Sequence, residues 1–177
     1  MMIECERMIL RSWRLSDREA LAAMHADLEV MYDHPAPLSR AESDAKLERY
    51  QETLDRLGFG RMAIENRDGE FLGYTGIMPI PPQHRAVGDG VEIGWRLVRR
   101  AWGQGIATEA GRAALAHGFR EHRFPEVLSY TSPSNLRSQN VMARLGLDRQ
   151  PGRDFVYEIA GVSYTNIVFV ALPPVTF

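Results

Sequence analysis

Residues 92–109 constrain the fold of this chain more than any other stretch, because the pattern of side chains changes halfway through them. From Val91 to Leu97 apolar residues alternate with polar residues or glycine, which is the period of two typical of a strand with one buried face. From Ile106 onward small and apolar residues recur at spacings of three and four, which is typical of a helix packed on a flat surface. The sequence therefore predicts a strand and a helix joined by a short, glycine-rich turn.

The turn before this helix carries two glycines where most helices have a capping side chain. The first N–H groups of a helix lack intrahelical partners, and a Ser, Thr, Asp or Asn usually accepts hydrogen bonds from them. Here Gly103 and Gly105 precede Ile106, so the backbone can approach another molecule and the positive end of the helix dipole is free for an anion such as a pyrophosphate. Arg100 adds a cation nearby. Two glycines can also simply form the turn, so G-x-G by itself leaves both interpretations open.

The complete arrangement resembles the acetyl-CoA-binding segment of the GNAT superfamily of N-acetyltransferases. The resemblance lies in Arg100-x-x-Gly103-x-Gly105, behind a strand that begins Glu92-Ile-Gly-Trp and ahead of Ala107-Thr-Glu-Ala. It is closest to the Rim-type branch of ribosomal-protein N-terminal acetyltransferases, in which a Trp-Gly-x-Gly turn follows the strand. A Rossmann site is not predicted, because the spacing is not G-x-G-x-x-G and no first strand and acidic residue about 20 positions on are placed as that motif requires.

A second motif follows later in the chain. Asn135-Leu-Arg-Ser138, followed by Val141-Met142 and Leu145-Gly146, resembles the second signature of the same acetyltransferases. The pattern predicts a helix that Asn135 caps and that ends at Gly146. Asn135 could cap this helix and also contact the pantetheine arm of the cofactor, and Ser138 could equally be an ordinary first-turn serine.

The composition limits the classes of protein and partner. With 177 residues, 45% hydrophobic and 25% charged, we expect one globular domain over residues 1–177. A net charge of -2 without a basic cluster argues against nucleic acid as the main partner. The longest apolar run, residues 167–172, is too short to cross a bilayer, and the first residues do not resemble a signal peptide. We therefore expect no membrane association and a cytoplasmic location.

The other elements follow from caps, turns and periodicity. In chain order they are a strand over 3–13, a helix opened by a capping box at Ser16 and running through Met31, a second helix opened by a capping box at Ser39 and ending at Gly58, strands over 61–65 and 71–80, a strand over 127–131, and a last hairpin of strands over 155–159 and 163–172 with Ala160 and Gly161 between them. Together with the resemblance they imply an α+β, GNAT-like three-layer fold. Its sheet would be mixed but mainly antiparallel, with six to seven strands splayed at the centre and about four helices on its faces. The cofactor would lie where the strands led by Glu92 and Val127 diverge.

Acyl transfer to an amine makes three chemical demands. The amine must lose a proton, and lysine-type amines titrate near ~10.4 while α-amines titrate near ~7.7–8.0. The thioester carbonyl needs hydrogen-bond donors aimed at its developing oxyanion. The thiolate leaves easily because an ordinary thiol titrates near ~8.5, so an acid helps without being the main requirement.

The resemblance assigns candidate residues to these tasks. It implies that the backbone N–H of Leu97 stabilises the oxyanion, that Glu92 draws the proton from the amine through water, and that Ser138 is the acid. Many members place a tyrosine one turn beyond Ser138, and this helix has none there, which leaves Tyr130, Tyr157 and Tyr164 as substitutes from strands. Residues expected to contact acetyl-CoA are Leu97, Val98, Arg100, Gly103, Gln104, Gly105, Ile106, Ala107, Asn135 and Ser138; residues expected near the acceptor are Tyr32, Asp33, His34, Trp95 and Tyr130. No metal is expected.

The function implied by the resemblance is transfer of an acetyl group from acetyl-CoA to a primary amine by direct attack in a ternary complex. The acceptor would be a protein or peptide N-terminal α-amine or a small-molecule amine. Two alternatives stay open, namely a transferase of the same fold that uses a longer acyl-CoA and a CoA-binding or interaction domain without catalysis. A homodimer through the apolar last hairpin is a further expectation.

Overall fold

The computed structural model describes residues 1–159 and 161–174, which form a sheet of nine strands with helices packed against it. The strands are β1 (Met2–Glu4), β2 (Met8–Arg11), β3 (Arg61–Asn66), β4 (Phe71–Pro79), β5 (Val91–Leu97), β6 (Val127–Thr131), β7 (Asp148–Arg149), β8 (Phe155–Ile159) and β9 (Val162–Ala171). The helices are α1 (Asp17–Ala26), α2 (Arg40–Leu57), α3 (Ile106–His117) and α4 (Leu136–Arg144), and a π-helical turn, Gly118–His122, extends α3. The strand order is β1-β2-β3-β4-β5-β6-β9-β7, with β8 paired to β9. Every pairing is antiparallel except that of β5 with β6, which confirms the predicted mixed, mainly antiparallel sheet.

The sheet has more strands than the expected six to seven because one predicted strand is divided and one short strand was not foreseen. The predicted strand over 3–13 is a tight hairpin of β1 and β2, closed by a hydrogen bond from Cys5 N–H to the Met8 carbonyl at 3.0 Å. The two-residue β7 is the additional strand. The predicted last hairpin is confirmed as β8 and β9. Ala160, which was assigned to its turn, lies outside the described residues.

The helices lie on both faces of the sheet. Tyr74 of β4 packs against Tyr50 of α2 at 5.3 Å and against His25 of α1 at 6.0 Å between ring centroids. Ile77, three residues further along β4, faces the opposite side, where a Cβ on Gly118 after α3 would lie 2.4 Å from the Ile77 Cδ1 atom. Because strand side chains alternate between faces, α1 and α2 cover one face and α3 covers the other. This is the expected three-layer arrangement.

The sheet splits at its centre, as the resemblance implied. The parallel strands β5 and β6 share a single registered pair, Glu92 with Leu128. The Ser129 hydroxyl also donates across the junction to the Ile93 carbonyl at 2.9 Å. Towards Leu97 the two strands are no longer paired, so this end of β5 borders an opening in the sheet.

Helix α1 differs from its prediction at both ends. Ser16 makes no capping hydrogen bond through its side chain. The Asp17 carboxylate instead accepts from the Arg14 backbone N–H at 2.7 Å and from the Arg11 guanidinium at 2.8 Å. At the other end, Asp27 Oδ1 accepts from the Glu29 N–H at 2.8 Å, which favours a turn over another helical turn. The predicted helix through Met31 therefore ends at Ala26, and residues 27–38 form an irregular loop.

Both predicted boundaries of α2 and both predicted boundaries of α4 are confirmed. Ser39 and Glu42 form the complete capping box at the start of α2. Gly58 ends α2 in the left-handed conformation with φ 72°, and Gly146 follows α4 with φ 77°. The side-chain oxygen of Asn135 accepts from the Ser138 N–H at 3.0 Å and so caps α4.

Candidate active site

The split between β5 and β6 opens into a cleft of about 530 Å³. One wall is the end of β5 with the turn after it and the first turn of α3, and the opposite wall is α4. The loop over residues 27–38 lies over the same opening through Tyr32 and Asp33. The cleft therefore collects residues from three stretches that are distant in sequence, 30–33, 95–108 and 135–144.

Helix α3 begins on this cleft without a side-chain cap. Gly105 precedes it in the left-handed conformation with φ 77°. The first helical bond runs from the Glu109 N–H to the Gly105 carbonyl at 3.0 Å, so the N–H groups of Ile106, Ala107 and Thr108 have no helical acceptor. All three residues line the cleft. Their free N–H groups and the helix dipole make this end of the cleft suitable for an anion.

The position predicted for Arg100 is wrong. Its Nη2 atom donates to the Phe71 carbonyl at 2.8 Å, and the side chain borders a different depression on the surface. Gln104 was also expected at the anion, but its amide donates to the Arg100 carbonyl at 2.6 Å and the residue is not among the described residues that line the cleft. The Arg100 side chain is therefore directed towards β4, and the Gln104 side chain folds back onto the turn itself.

Other arginines lie close to the start of α3. Arg7 donates to the Gln104 carbonyl at 2.9 Å, and its Nη2 atom lies 3.4 Å from the point where a Cβ on Gly105 would be. Arg137 and Arg144 line the cleft from α4, and the Arg137 guanidinium lies over the Trp102 ring at 4.4 Å. None of these arginines was predicted from the sequence to lie at the site. The two arginines of α4 could have been predicted to lie together, because Arg137, Val141 and Arg144 are spaced by four and three and so share one helix face.

The geometry at the end of β5 directs the Leu97 N–H into the split. The next N–H, on Val98, donates to the carbonyl of Leu72 in the neighbouring strand β4 at 3.0 Å. Successive N–H groups of a strand point to opposite sides, so the Leu97 N–H points away from β4. Leu97 lines the cleft, as expected of the oxyanion donor, although that role stays a prediction. The predicted pantetheine contact of Val98 does not fit, because its N–H is already bonded inside the sheet and the residue borders the other depression.

Asn135 and Ser138 both line the cleft but differ in how free they are to bind a ligand. Asn135 is 2% exposed, and its Oδ1 accepts from both the Ser138 N–H and the Tyr32 hydroxyl, the latter at 2.5 Å. Its Nδ2 donates to Asp33 at 3.1 Å, so a pantetheine contact would have only the second amide hydrogen. The Ser138 hydroxyl makes no hydrogen bond with any residue that the structure describes, which leaves it available to a ligand.

The loop over residues 27–38 is tied to both walls of the cleft. Asp33 accepts from Arg96 of β5 at 2.8 Å and from Asn135 at the start of α4. Burial and the neighbouring Asp33 raise the pKa of the Tyr32 phenol, so it stays protonated and donates to Asn135. Trp95 also lines this part of the cleft, as expected. His34 does not, because its Nδ1–H turns back to the Ala36 carbonyl at 2.8 Å.

The structure contradicts the predicted placement of Glu92. Both oxygens of its carboxylate accept from Arg61 Nη2, at 2.6 and 2.8 Å, and the two side chains are only 13% and 9% exposed. The Arg61 guanidinium lies against Gly94, where a Cβ would be 2.7 Å away. Glu92 is absent from the described residues that line the cleft, so it is not positioned to contact an amine there. The pairing residue is 31 positions away, which is why the sequence around Glu92 did not reveal it.

The tyrosines considered as substitute acids also lie away from the cleft. The Tyr130 hydroxyl lies 2.9 Å from His84 Nδ1, and burial raises the pKa of this phenol. Tyr157 stacks on Tyr164 at 5.4 Å and packs against His84 at 4.4 Å between ring centroids. These rings form an aromatic group at the β8–β9 hairpin. Tyr130 was predicted to lie near the acceptor, but it belongs to this group and is not among the described residues that line the cleft.

Among residues 1–159 and 161–174, no group of three His, Cys, Asp or Glu side chains is positioned to hold a metal ion. No helix in these ranges is both long and apolar enough to cross a bilayer.

Comparison with known proteins adds a family match to this geometry. A model of the family described as "Acetyltransferase (GNAT) domain" matches residues 7–148. The protein YkkB of Bacillus subtilis is 40% identical over 86 residues, which are 49% of this chain and 48% of YkkB, so the chain spans about half the length of that relative. The crystal structure of an acetyltransferase from Agrobacterium tumefaciens superposes with a TM-score of 0.82 at 23% identity, covering 98% of this chain and 95% of that one. RimL, a ribosomal L7/L12 alpha-N-protein acetyltransferase solved with coenzyme A, superposes with a TM-score of 0.77 at 16% identity, covering 97% and 98% of the two chains.

Proposed function

The chain belongs to the GNAT acetyltransferase family, and we propose that it transfers the acetyl group of acetyl-CoA to a primary amine that attacks directly while both substrates are bound. The observation that carries the proposal is that the uncapped start of α3 and the N–H of Leu97 border the same cleft. An anionic group and a carbonyl oxygen of one extended ligand can therefore be bound together.

The residues of the cleft fit acetyl-CoA in its expected orientation. The pyrophosphate would accept hydrogen bonds from the N–H groups of Ile106, Ala107 and Thr108. Arg137 and Arg144 of α4 would supply positive charge along the phosphates. When bound, acetyl-CoA supplies an acetyl group activated as a thioester.

Each step of the transfer then has a candidate residue. The Leu97 N–H would donate to the developing oxyanion, and one such donor is worth roughly 2.7–4 kcal/mol in comparable sites. As the carbon–nitrogen bond forms and the carbon–sulfur bond breaks, the Ser138 hydroxyl would give its proton to the leaving sulfur and recover one, through water, from the nitrogen of the attacking amine. Holding both reactants in one cleft would supply a further part of the acceleration.

The acceptor is best matched by an amine of low pKa. Asp33 is the only carboxylate among the described residues that line the cleft, and Arg96 and Asn135 already bind it. A cleft without a free base favours an α-amine, which titrates near ~7.7–8.0, over a lysine-type amine near ~10.4. The acceptor class we propose is therefore an N-terminal α-amine of a peptide or protein, or a small molecule with a comparably weak amine. The alpha-N-protein acceptor in the printed name of RimL supports the same class.

One observation favours a second candidate function. Since Arg61 binds Glu92 and no free carboxylate borders the described part of the cleft, the protein could bind CoA without catalysing transfer. Thiol release separates the two functions. Purified protein should release CoA from acetyl-CoA in the presence of N-terminal peptides, and faster than with lysine-type amines at pH 7. Binding of acetyl-CoA without release for any amine would favour the silent domain.

Replacing Ser138 with Ala tests the proposed acid. We expect kcat to fall about tenfold, which is less than a general acid usually contributes because the thiolate leaves easily, with the Kd for acetyl-CoA unchanged. Ser134→Ala is the matched control, because Ser134 lies in the same segment and its hydroxyl contacts only Ser132. Equal kcat values for the two variants would remove Ser138 from the mechanism.

Assembly and location are also part of the proposal. The β8–β9 hairpin exposes Val156, Ile159 and Val162, which supports a homodimer through this hairpin. Sedimentation of the wild type beside Val156→Asp would test it, with a monomeric variant expected. The cytoplasmic location stays a prediction that fractionation of cells would check.

A further inference from the structure

A second depression of about 450 Å³ lies beside the cleft, and the proposed reaction does not use it. Ala20 and Met24 of α1 and Phe71 of β4 give it an apolar floor, and the small alanine side chain leaves room above that floor. Asp27 and Arg99 are among the charged residues at its edge. An apolar floor with a charged edge suits a short alkyl chain better than a charged ligand.

Val30 is the residue that the two cavities share. It lines both the cleft and the second depression, and its side chain is 3% exposed. Its backbone is fixed on both sides, because the Val30 N–H donates to Asp27 Oδ1 at 3.3 Å and its carbonyl accepts from Arg96. Val30 and Leu97 line the same cleft, so Val30 borders the space in which the proposed acyl carbonyl would lie. The Val30 side chain therefore lies between the cleft and the second depression, on a backbone that hydrogen bonds hold in place.

We propose that Val30 limits the acyl group that this enzyme transfers to acetyl, by closing the path from the cleft to the second depression. The proposal rests on the proposed function, in which the acyl carbonyl lies at Leu97. In the transfer the amine nitrogen forms a bond to the carbonyl carbon, the carbon–sulfur bond breaks, and the thiolate takes up a proton. Carbons beyond the carbonyl do not react, so only the available space decides how long the chain can be.

The expected size of the effect follows from the poor fit of extra methylenes. One methylene more or less in an apolar site changes specificity about tenfold or more. Wild-type protein should therefore use propionyl-CoA at least about tenfold less efficiently than acetyl-CoA, and butyryl-CoA less efficiently still. Val30→Ala opens the partition, and the kcat/KM ratio of butyryl-CoA to acetyl-CoA should rise about tenfold or more.

The experiment measures thiol release and, separately, calorimetric affinity for acetyl-, propionyl- and butyryl-CoA without an acceptor. Val30→Ala should bind butyryl-CoA more tightly than wild type does. Val87→Ala is the matched control, because Val87 is also buried, at 6% exposed, but packs in a separate apolar cluster with Ile80 and Leu128. Its chain-length profile should equal that of wild type.

Three outcomes would overturn the proposal: an unchanged chain-length profile in folded Val30→Ala, the same change in Val87→Ala, or wild type that already accepts butyryl-CoA as well as acetyl-CoA. If Val30→Ala does not fold, Val30→Ile serves instead, because its added carbon narrows the cleft. It should lower the use and binding of propionyl-CoA relative to acetyl-CoA, and an unchanged ratio would overturn the proposal. Failure of the proposed function is distinct, because no acyl-CoA would then release thiol, while calorimetry still reports the dependence of binding on chain length.

Discussion

Helices α2 and α3 begin in chemically opposite ways. At the start of α2 the Ser39 hydroxyl accepts from the Glu42 N–H at 3.3 Å, and the Glu42 carboxylate accepts from the Ser39 N–H at 2.7 Å. At the start of α3 Gly105 offers no side chain, and the free N–H groups face the cleft. Every helix start needs acceptors for its first N–H groups. The protein provides them itself at the start of α2 and leaves them open at the start of α3, where we propose that the cofactor binds.

The charged groups follow the same division. Arg61 and Glu92 neutralise each other within the protein, and Glu92 is thereby removed from the cleft. Arg137 and Arg144 form no ion pair with the residues that the structure describes, and both line the cleft. A charged group that is already paired within the protein thus indicates a structural role here. A charged group that lines the cleft without an ion-pair partner indicates where we propose that the ligand binds.

The largest expected effect comes from blocking the open helix start. Gly105→Val places a branched side chain where the cofactor must approach, in a backbone conformation that such residues rarely adopt. We expect the Kd for acetyl-CoA to rise at least about a thousandfold, or ~4 kcal/mol, in a calorimetric titration. Gly69→Val is the matched control, because Gly69 has a similar φ of 85° in the β3–β4 turn, with no atom within 4 Å of its added Cβ. Equal affinities in both variants would contradict the assignment of the α3 start.

The next largest effect is expected at the Arg61–Glu92 ion pair, whose charges are already paired within the protein. Glu92→Gln leaves the Arg61 charge buried without its partner, so we expect a loss of about 3 kcal/mol in the free energy of unfolding. Since Glu92 does not border the cleft, the ratio of variant to wild-type kcat/KM should stay flat with pH. Glu29→Gln is the control, because its pair with Arg99 at 2.9 Å is more than half exposed and should contribute less than about 1 kcal/mol. A ratio for Glu92→Gln that falls steeply at low pH would restore Glu92 as the base.

The smallest effect is expected at the capped helix start. Ser39→Ala removes one acceptor from α2, and its cost should be about 1 kcal/mol in the free energy of unfolding, measured with urea. The Kd for acetyl-CoA should not change, because the α2 start does not border the cleft. A weaker affinity without loss of stability would mean that α2 takes part in binding and would remove the contrast between the two helices.

Local patterns, together with the family resemblance that they carry, predicted the fold and the open helix start from the sequence. Alternation in β5, the capping box at Ser39 and the glycines before α3 each depend on residues a few positions apart. The direction of Arg100 could not be read in this way, because it depends on the Phe71 carbonyl of a neighbouring strand. The ion pair of Glu92 with Arg61 was likewise hidden, since the partners come from strands far apart in sequence. The glycine turn and the helix capped by Asn135, which both border the cleft, could therefore be predicted from local patterns, whereas the ion pair that holds Glu92 could not.

The most direct test of the account compares the backbone amides of the two helix starts by NMR during a titration with acetyl-CoA. We expect large, saturable shifts for the N–H groups of Ile106, Ala107 and Thr108, because they would become hydrogen-bonded to the pyrophosphate. Those of Arg40 to Glu42 should not move, because Ser39 and Glu42 already satisfy that helix start. Unmoved α3 amides in a protein that binds acetyl-CoA, or equal shifts at both helix starts, would contradict the account.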